Sequence, residues 1–381
     1  MNLAILRIEK EESPVYRVSE AESMAARLLE LKGHSVISVL AVTGKNAVRG
    51  AVDFLKAGAQ ALIVTGDVEA FSKELAEIYN FPNTQCSMLD ETDKIPAAPH
   101  SSPLIPNSLE AENIIFLLTP RLSPDFIERT AIPALNSKTK ACYTSVVFRT
   151  FGLSAAELKI LLKDCVRNKS RIGVRIVELS YLECEVRVRY SNKTHKLIVD
   201  DLIARAVEAL KDHMYSAKDE TLPEAVSALL KQRGQKVCVA ESFTGGGVVR
   251  ALIAVPGASR VVKEGIVSYS NESKMRRLQV EPHILDEYGA VSIETVYEMA
   301  ANILVSNPDC AYAVATTGNA ELAASETAGG PCAFFVAAGD ADGIHIYRYT
   351  CDGDRNAVIE FGVKAALFRL YRELTSLKPA F

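Results

Sequence analysis

The sequence predicts an α/β protein, because apolar, strand-like runs alternate with segments of helical spacing from the first residues onward. Residues 2–8 have the apolar character of a strand, and residues 21–31 show the spacing of an amphipathic helix. The next strand is predicted at 34–42, a second helix at about 47–55 and a third strand at 60–65. This order of elements is typical of a parallel sheet that is covered by helices.

The chain has 381 residues, which is the length of two or three domains at about 150 residues each. Its hydrophobic content of 48% and charged content of 24% are ordinary for globular domains that bury their own cores. Four prolines between 95 and 106 predict a loop, after which 113–119 resumes the sheet and Ser123 begins another helix. We therefore predict a first domain over 1–140.

A small α+β domain is predicted next, over 141–218, because the pattern changes near Lys138. Ser154 and Glu157 have the spacing of a capping box, which predicts the start of a helix. The other elements of this domain are strands at 144–150, 171–178 and 181–190 and a helix at about 200–213.

The third domain, predicted over 219–381, returns to α/β alternation. Thr221 and Glu224 form a capping box for a helix that ends at Gly234, and Ser292 begins a longer helix. Its strands are predicted at 236–241, 261–270, 310–316, 331–338 and 344–350, and its last helix at 354–374.

Composition excludes several classes of protein. The net charge of −4 gives no reason to expect nucleic acid or an acidic membrane as a partner. No apolar run approaches the roughly 20 residues that span a bilayer, and the N-terminal run is too short for a signal peptide. The eight cysteines are scattered without a CxxC pair, which favours a reduced, cytoplasmic protein. Because ligand spacing is missing as well, we expect no metal and no cofactor.

The segment most suggestive of chemistry is 236–247, KVCVAESFTGGG. A buried strand ends at Glu241, Ser242 follows, and glycines including Gly245 and Gly246 lead into a helix whose start favours negative charge. A serine at this junction is either a nucleophile whose oxyanion is stabilised by backbone amides, or a helix cap beside an ordinary turn. Taken alone, the segment favours the cap.

A second polar segment, 266–274, ends the following strand and contains Tyr269, Asn271 and Lys274. Because neighbouring parallel strands deliver their loops to one edge of a sheet, this segment is expected beside Ser242. A desolvated lysine there can act as the base for the serine, whereas a lysine on a solvated helix face would have no such role. Neither segment contains histidine, so a serine assisted by lysine, with tyrosine as a proton relay, is favoured over a Ser–His–Asp triad.

Two further segments complete the candidate site. Thr317 and Gly318 lie where the strand at 312–318 enters a polar turn. Arg355 opens the last helix, where its guanidinium either grips a phosphate or carboxylate or pairs with Asp352 or Asp354 at the surface.

Together these segments resemble the C-terminal domain of the CinA family of competence/damage-inducible proteins. The resemblance rests on 215–246, YSAKDETLPEAVSALLKQRGQKVCVAESFTGG, followed by VPGAS, YSNESK, GAVS and GDR in order up to Arg355. It covers about 160 residues and favours the nucleophile over the cap. In the family this domain is a metal-independent amidase that converts nicotinamide mononucleotide to nicotinate mononucleotide and ammonia.

The resemblance implies a role for each candidate residue. Ser242 would be the nucleophile, Lys274 its base and Tyr269 a helper. The residues that would hold the substrate and its phosphate are Thr244, Gly245, Gly246, Asn271, Thr317, Gly318 and Arg355. By family precedent the protein would be a homodimer whose partner is the small nucleotide substrate, without nucleic acid or membrane.

The rest of the chain is also similar to this family. The stretch 148–158, FRTFGLSAAEL, and the strands after it resemble the KH-like middle domain. The N-terminal part resembles the molybdopterin-binding-type domain, but Arg7-Ile8-Glu9, 65–69 and 119–122 replace its glycine-rich loops and paired aspartates. We therefore expect this domain to be degenerate and without the ADP-ribose hydrolysis found in some members.

Two departures concern the amidase domain itself. After Gly318 the family's Ile-Ala-Gly-Pro-Gly-Gly loop is replaced by 319–324, NAELAA, which brings Glu321 near the expected phosphate position. Phe243 stands where most members have a small residue. The predicted function is hydrolysis of nicotinamide mononucleotide by Ser242 and Lys274. The alternative is a catalytically impaired relative with a nucleotide-binding or scaffolding role.

Overall fold

A computed structural model describes residues 1–9, 18–68, 70–71, 115–119, 121–137, 143–166, 172–320 and 332–376. The predicted proline-rich loop at 95–106 and most of the replaced loop at 319–324 lie outside these residues. Within them the chain is α/β and contains three sheets, as predicted from the alternation of strands and helices.

The first sheet has the order β2-β1-β3-β4, and all of its strand pairs are parallel. In α1, Ser19 and Glu22 form a capping box. The elements are β1 Asn2–Glu9, α1 Glu20–Leu31, β2 Ser35–Thr43, α2 Ala47–Lys56, β3 Ala61–Gly66 and β4 Ile115–Thr119.

The helix predicted after Ser123 is interrupted. Ser123 accepts from the amide of Phe126, as expected of a cap, and α3 Pro124–Phe126 passes into a π-helical turn, Ile127–Ala131, before α4 Ile132–Ser137. Pro133 has no amide hydrogen and therefore cannot continue the α-helical ladder across this position.

A charged cluster lies at the carboxyl end of β1, where the family has a glycine turn. Arg7 contacts the carboxylate of Glu22 at 2.9 Å and that of Glu9 at 2.8 Å. Glu22 is only 2% exposed, so this position is filled by an internal ion-pair cluster. The absence of a pyrophosphate site of the family's kind in this domain stays a prediction.

The middle sheet has the order β6-β7-β5-β8. The Ser154–Glu157 capping box is present, and its helix breaks into two short pieces. The elements are β5 Tyr143–Phe151, α5 Ala155–Leu161, α6 Lys163–Val166, β6 Ile172–Ser180, β7 Glu183–Ser191, α7 Lys196–Leu210 and β8 Met214–Ser216.

The predicted bounds of α7 were wrong. The helix begins at Lys196 and ends at Leu210, so His213 is not part of it. The chain forms β8 instead, where Ser216 pairs with Arg149 of β5 and Met214 pairs with Thr150. Three residues give too little alternation to identify a strand from sequence, and only pairing with β5 creates it.

The third sheet has the order β10-β9-β11-β12-β13. Strands β10, β9 and β11 are parallel, whereas β12 pairs antiparallel with both of its neighbours. Its strands are β9 Val237–Glu241, β10 Val262–Val267, β11 Tyr312–Gly318, β12 Cys332–Asp340 and β13 Gly343–Cys351. Its helices are α8 Leu222–Arg233, α9 Gly247–Ile253, α10 Asn271–Leu278, α11 Pro282–Glu287, α12 Ile293–Ser306 and α13 Arg355–Thr375.

Alternation along β9 separates two cores on the two faces of this sheet. Val237 and Val239 face the core that contains residues of α8, α9 and α13. Cys238 and Ala240 face the other core, which contains residues of α12. Because side chains alternate with a period of two, Glu241 is expected on the same face as Val237 and Val239.

The chain divides into two compact units. The first comprises 1–146, 166–175 and 187–204, and the second comprises 147–165, 176–186 and 205–381. The segment predicted as a middle domain contributes to both units, and the division into 1–140, 141–218 and 219–381 stays a prediction. Within the described ranges, no helix has the length and apolar character that crossing a membrane requires.

A buried carboxylate joins two elements of the second unit. Glu183 at the start of β7 accepts from Nζ of Lys364 in α13 at 2.8 Å and from the hydroxyl of Tyr215 at 2.8 Å. Burial raises the pKa of this carboxyl, but the ammonium of Lys364 and the hydroxyls of Tyr215 and Ser180 lower it by more. The pKa of Glu183 is therefore lowered overall in the folded protein.

We expect Glu183→Gln to lower the free energy of unfolding at pH 7 by about 2 kcal/mol, because a buried ion pair loses one partner. The folded-state pKa lies below the ordinary value of 4.5. The stabilisation is therefore present above that value and lost as pH falls through the folded-state pKa. Urea unfolding should show the gap between variant and wild type narrowing below pH 4.5. A difference in free energy of unfolding between wild type and variant that stays constant below pH 4.5 would contradict this.

The matched control is Glu360→Gln. Glu360 contacts the same lysine at 3.2 Å, but its side chain is 64% exposed. Exposed pairs contribute little, so this change is expected to leave the unfolding midpoint nearly unchanged.

Candidate functional site

The candidate site lies in the turn between β9 and α9. Gly245 and Gly246 have positive φ angles of 59° and 94°, a backbone conformation that glycine adopts without the penalty of a side chain. The amide of Ser242 donates to the carbonyl of Thr316 on β11 at 3.0 Å, and the amide of Gly245 donates to the carbonyl of Ser242 at 3.1 Å. These bonds hold Ser242 at the carboxyl end of the sheet.

Lys274 and Ser242 are in direct contact. Nζ of Lys274 lies 3.0 Å from Oγ of Ser242 and also donates to the carbonyls of Ser268 and Tyr269, each at 3.1 Å. Lys274 is 1% exposed and Ser242 is 5% exposed. The alternative in which this lysine lies on a solvated helix face is therefore wrong.

The environment of Lys274 suits a proton acceptor. An ammonium group can donate to all three oxygen neighbours, whereas a neutral amine can donate to the two carbonyls and accept the proton of the Ser242 hydroxyl. Burial lowers the pKa of Lys274 below its ordinary value, because a charged group is disfavoured where water is excluded. The neutral form that a base requires is thereby made more accessible.

The amides at the start of α9 are already occupied. Glu241 is fully buried, and its carboxylate accepts from the amides of Gly246, Val248 and Val249 at 2.9, 3.1 and 2.9 Å. The sequence suggested that this helix start would attract the negative charge of a ligand. In the folded protein Glu241 supplies that charge internally.

Two amides of the turn have no hydrogen-bond partner among the residues that the structure describes. Within the described ranges, the backbone N–H groups of Phe243 and Thr244 make no hydrogen bond. They directly follow Ser242 in the chain. Amides in this position can stabilise an oxyanion that forms on a group attacked by the serine.

The hydroxyls of the two threonines predicted to bind substrate form hydrogen bonds to other groups of the protein. Oγ1 of Thr244 lies 2.7 Å from Oγ1 of Thr316, and Oγ1 of Thr317 donates to the carbonyl of Ala290 at 2.6 Å. Both residues are buried. Their hydroxyls are therefore engaged by other groups of the protein.

The side chain of Phe243 belongs to the core. It is 4% exposed, and its ring lies 5.0 Å from that of Phe334 on β12. A β-carbon at Gly362 of α13 would lie 2.7 Å from Cε2 of Phe243. The absence of a side chain at Gly362 thus makes room for the phenyl ring.

Tyr269 and Arg355 meet at the exposed side of the site. The guanidinium of Arg355 donates to the hydroxyl of Tyr269 at 3.3 Å, and the Tyr269 side chain is 65% exposed. Within the described residues, the part of Tyr269 that Lys274 contacts is the backbone carbonyl and not the hydroxyl. Asn271, also exposed, is the first residue of α10 after the Ser270 cap.

The turn after β11 is described only at its beginning. Gly318 ends the strand, the amide of Asn319 donates to the carbonyl of Ala333 at 3.1 Å, and Ala320 is buried. Glu321 and the rest of the replaced loop lie outside the described residues.

Sequence reasoning missed two contributors to the site, Glu241 and Ser268. A charged residue on the apolar face of β9 was the available signal for Glu241. Ser268 contributes only its backbone carbonyl, for which side-chain chemistry gives no signal. In the part of the chain that the structure describes, no group of three or more histidine, cysteine, aspartate or glutamate residues could hold a metal ion.

Comparison with known proteins identifies the family. A family model described as the CinA C-terminal domain matches residues 219–374. A competence-damage inducible protein of Thermoanaerobacter pseudethanolicus is 30% identical over an alignment of 298 positions, which covers 74% of this chain and 70% of that protein. One of Caldicellulosiruptor saccharolyticus is 27% identical over an alignment of 389 positions, which covers 92% of this chain and 93% of that protein.

Among solved structures, a CinA superfamily protein of Klebsiella pneumoniae is 32% identical, with a TM-score of 0.37. It covers 40% of this chain and 95% of its own. The family assignment rests on the first relative, which is 30% identical over more than two thirds of both chains. The chain belongs to the CinA family of competence-damage inducible proteins.

Proposed function

We propose that the protein is a nicotinamide-nucleotide amidase, which hydrolyses the carboxamide of nicotinamide mononucleotide to a carboxylate and ammonia. The observation that carries this proposal is the 3.0 Å contact between Nζ of Lys274 and Oγ of Ser242. Both groups are buried. Ser242 follows β9, and Lys274 lies in α10, the helix that follows the adjacent parallel strand β10. The carboxyl ends of such strands are the usual place for a site in this type of sheet.

In the first half of the reaction Oγ of Ser242 attacks the carboxamide carbon, and its proton passes to Nζ of Lys274. The amides of Phe243 and Thr244 are the donors available for the developing oxyanion. Collapse of the tetrahedral intermediate breaks the carbon–nitrogen bond, and Lys274 returns its proton to the leaving ammonia. An ester of Ser242 remains.

Water completes the reaction. It attacks the ester carbonyl while Lys274 accepts one of its protons, and the bond to Oγ of Ser242 breaks with return of that proton to the serine. The products are nicotinate mononucleotide and free enzyme. No redox partner is needed, because every electron pair and proton is accounted for by substrate, water, Ser242 and Lys274.

The phosphate of the substrate is assigned to Arg355. The amides at the start of α9 are bonded to Glu241, so they are not offered to an anion. Arg355 is exposed and contacts Tyr269 beside Lys274. A guanidinium binds phosphate oxygens in a two-pronged geometry.

The test is ammonia release from nicotinamide mononucleotide by the purified full-length protein. We expect release that depends on Ser242, and a much lower kcat/KM for nicotinamide riboside, which lacks the phosphate. The preference for the phosphate should shrink in Arg355→Gln, because that variant no longer presents a cation to it. The control is a parallel assay of Ser242→Ala.

If no ammonia forms but calorimetry detects nicotinamide mononucleotide binding that Ser242→Ala leaves unchanged, the amidase proposal fails. The impaired, nucleotide-binding relative would then describe the protein better.

A further inference from the structure

We propose that Glu241 is a positioning residue for the amidase reaction. Its carboxylate and its backbone carbonyl keep Ser242 and Lys274 in their positions relative to each other. This inference rests on the proposed function and extends it to a residue that touches neither substrate nor the reacting atoms.

The burial of Glu241 calls for a reason. It is 0% exposed and lies at the end of a strand whose other residues are all buried. Its face of β9 also carries Val237 and Val239, which belong to an apolar core. Burying a carboxylate there is costly unless it is fully hydrogen-bonded. An apolar residue at this position would avoid that cost, but it would not accept from the amides of α9.

The carboxylate fixes the turn that carries the nucleophile. Its two oxygens accept from three amides, those of Gly246, Val248 and Val249, at 2.9 to 3.1 Å. Gly246 ends the turn, and the other two belong to the first turn of α9. The turn from Ser242 to Gly246 is therefore hydrogen-bonded at both ends, because the amide of Ser242 donates to the carbonyl of Thr316 and the amide of Gly246 donates to Glu241.

The backbone of Glu241 fixes the base. Its carbonyl accepts from the amide of Ser268 at 2.7 Å, and the carbonyl of Ser268 accepts from Nζ of Lys274 at 3.1 Å. Glu241 is also paired with Val267 of β10 and with Thr316 of β11. One residue thus connects the nucleophile's turn to the segment that holds the lysine.

The arrangement requires a carboxylate of this length. Three amide donors face two acceptor oxygens, and a glutamine would replace one oxygen by an NH₂ group that opposes a donor with a donor. An aspartate would keep the charge, but its shorter side chain cannot maintain all three contacts. Both changes are expected to let the turn, and with it Oγ of Ser242, move relative to Lys274.

The experiment measures the chemical reactivity of Ser242 separately from substrate hydrolysis. A fluorophosphonate probe forms a bond from Oγ of Ser242 to phosphorus and expels fluoride, while Lys274 takes the proton. We expect Glu241→Gln to slow this labelling, and kcat for nicotinamide mononucleotide, by about 30-fold, because small misplacements of reacting groups are costly. KM should change by less than about threefold, because no substrate contact is removed.

Glu183→Gln is the matched control. It alters another buried carboxylate of the same unit, so it should lower the unfolding midpoint but leave labelling at the wild-type rate. All rates are measured below the unfolding transition of each variant. If Glu241→Gln does not fold, Glu241→Asp provides the test, with an expected loss of about 10-fold.

The outcomes separate the two proposals. If the wild type is labelled and either folded Glu241 variant reacts at the wild-type rate, Glu241 is not a positioning residue and the amidase proposal stands. If the wild type neither reacts with the probe nor releases ammonia, the amidase proposal fails, and the role of Glu241 in it fails as well. The inference is supported if labelling is slower in the Glu241 variants while Glu183→Gln is labelled at the wild-type rate.

Discussion

Ser242→Ala and Lys274→Met are each expected to lower turnover of nicotinamide mononucleotide by roughly four orders of magnitude, with little further loss in the double variant. The reason is the 3.0 Å contact between their side chains. When one residue attacks and the other takes its proton, removing either abolishes the same step. Ammonia release by the two single variants and the pair measures this.

The pH dependence separates a base from a structural lysine. Burial lowers the pKa of Lys274, and the neutral amine is the active form. Turnover should therefore rise as pH rises through this lowered pKa, and in Lys274→Met the residual rate should lose that rise.

Thermal unfolding of the same variants supplies the control. If Ser242 served only as a helix cap, Ser242→Ala would lower the protein's free energy of unfolding by about 1 kcal/mol and leave turnover unchanged. Additive losses in the double variant would also contradict a shared step. Either result would remove Ser242 and Lys274 as a catalytic pair.

Gly362→Ala is expected to lower the free energy of unfolding by about 2 kcal/mol, although alanine favours helices over glycine by about 1 kcal/mol. The new methyl group would lie 2.7 Å from Cε2 of Phe243 and 3.3 Å from Cγ2 of Thr244. The phenyl ring has little room to retreat, because it packs on Phe334 with ring centroids 5.0 Å apart. Denaturant unfolding measures the loss.

The rescue variant is Phe243→Leu in the Gly362→Ala background. If the methyl group and the ring compete for one space, the double variant should be more stable than the sum of the single effects predicts. Gly343→Ala is the control, because a β-carbon there meets no atom within 4 Å. Strictly additive losses would show that Gly362 does not make room for Phe243.

Much of the fold followed from local patterns. The helix starts predicted at Ser123, Ser154, Thr221 and Ser292 are confirmed, because a cap is a short-range hydrogen bond between residues close in sequence. The parallel arrangement followed from alternation of strands and helices. The π-helical turn before Pro133 and the strand β8 did not, since each depends on the ladder or sheet around it.

The sequence by itself placed Ser242 directly after one strand and Lys274 in the segment that follows the next strand, and the expected parallel topology made the two segments neighbours. Only the tertiary structure decided that Lys274 is buried against Oγ of Ser242, that Phe243 enters the core opposite Gly362, and that Glu241 occupies the amides of α9. The physical reason is that burial and hydrogen-bond partners depend on contacts between segments far apart in the chain. A sequence pattern fixes a residue's position along its own element, but not the groups that the fold brings against it.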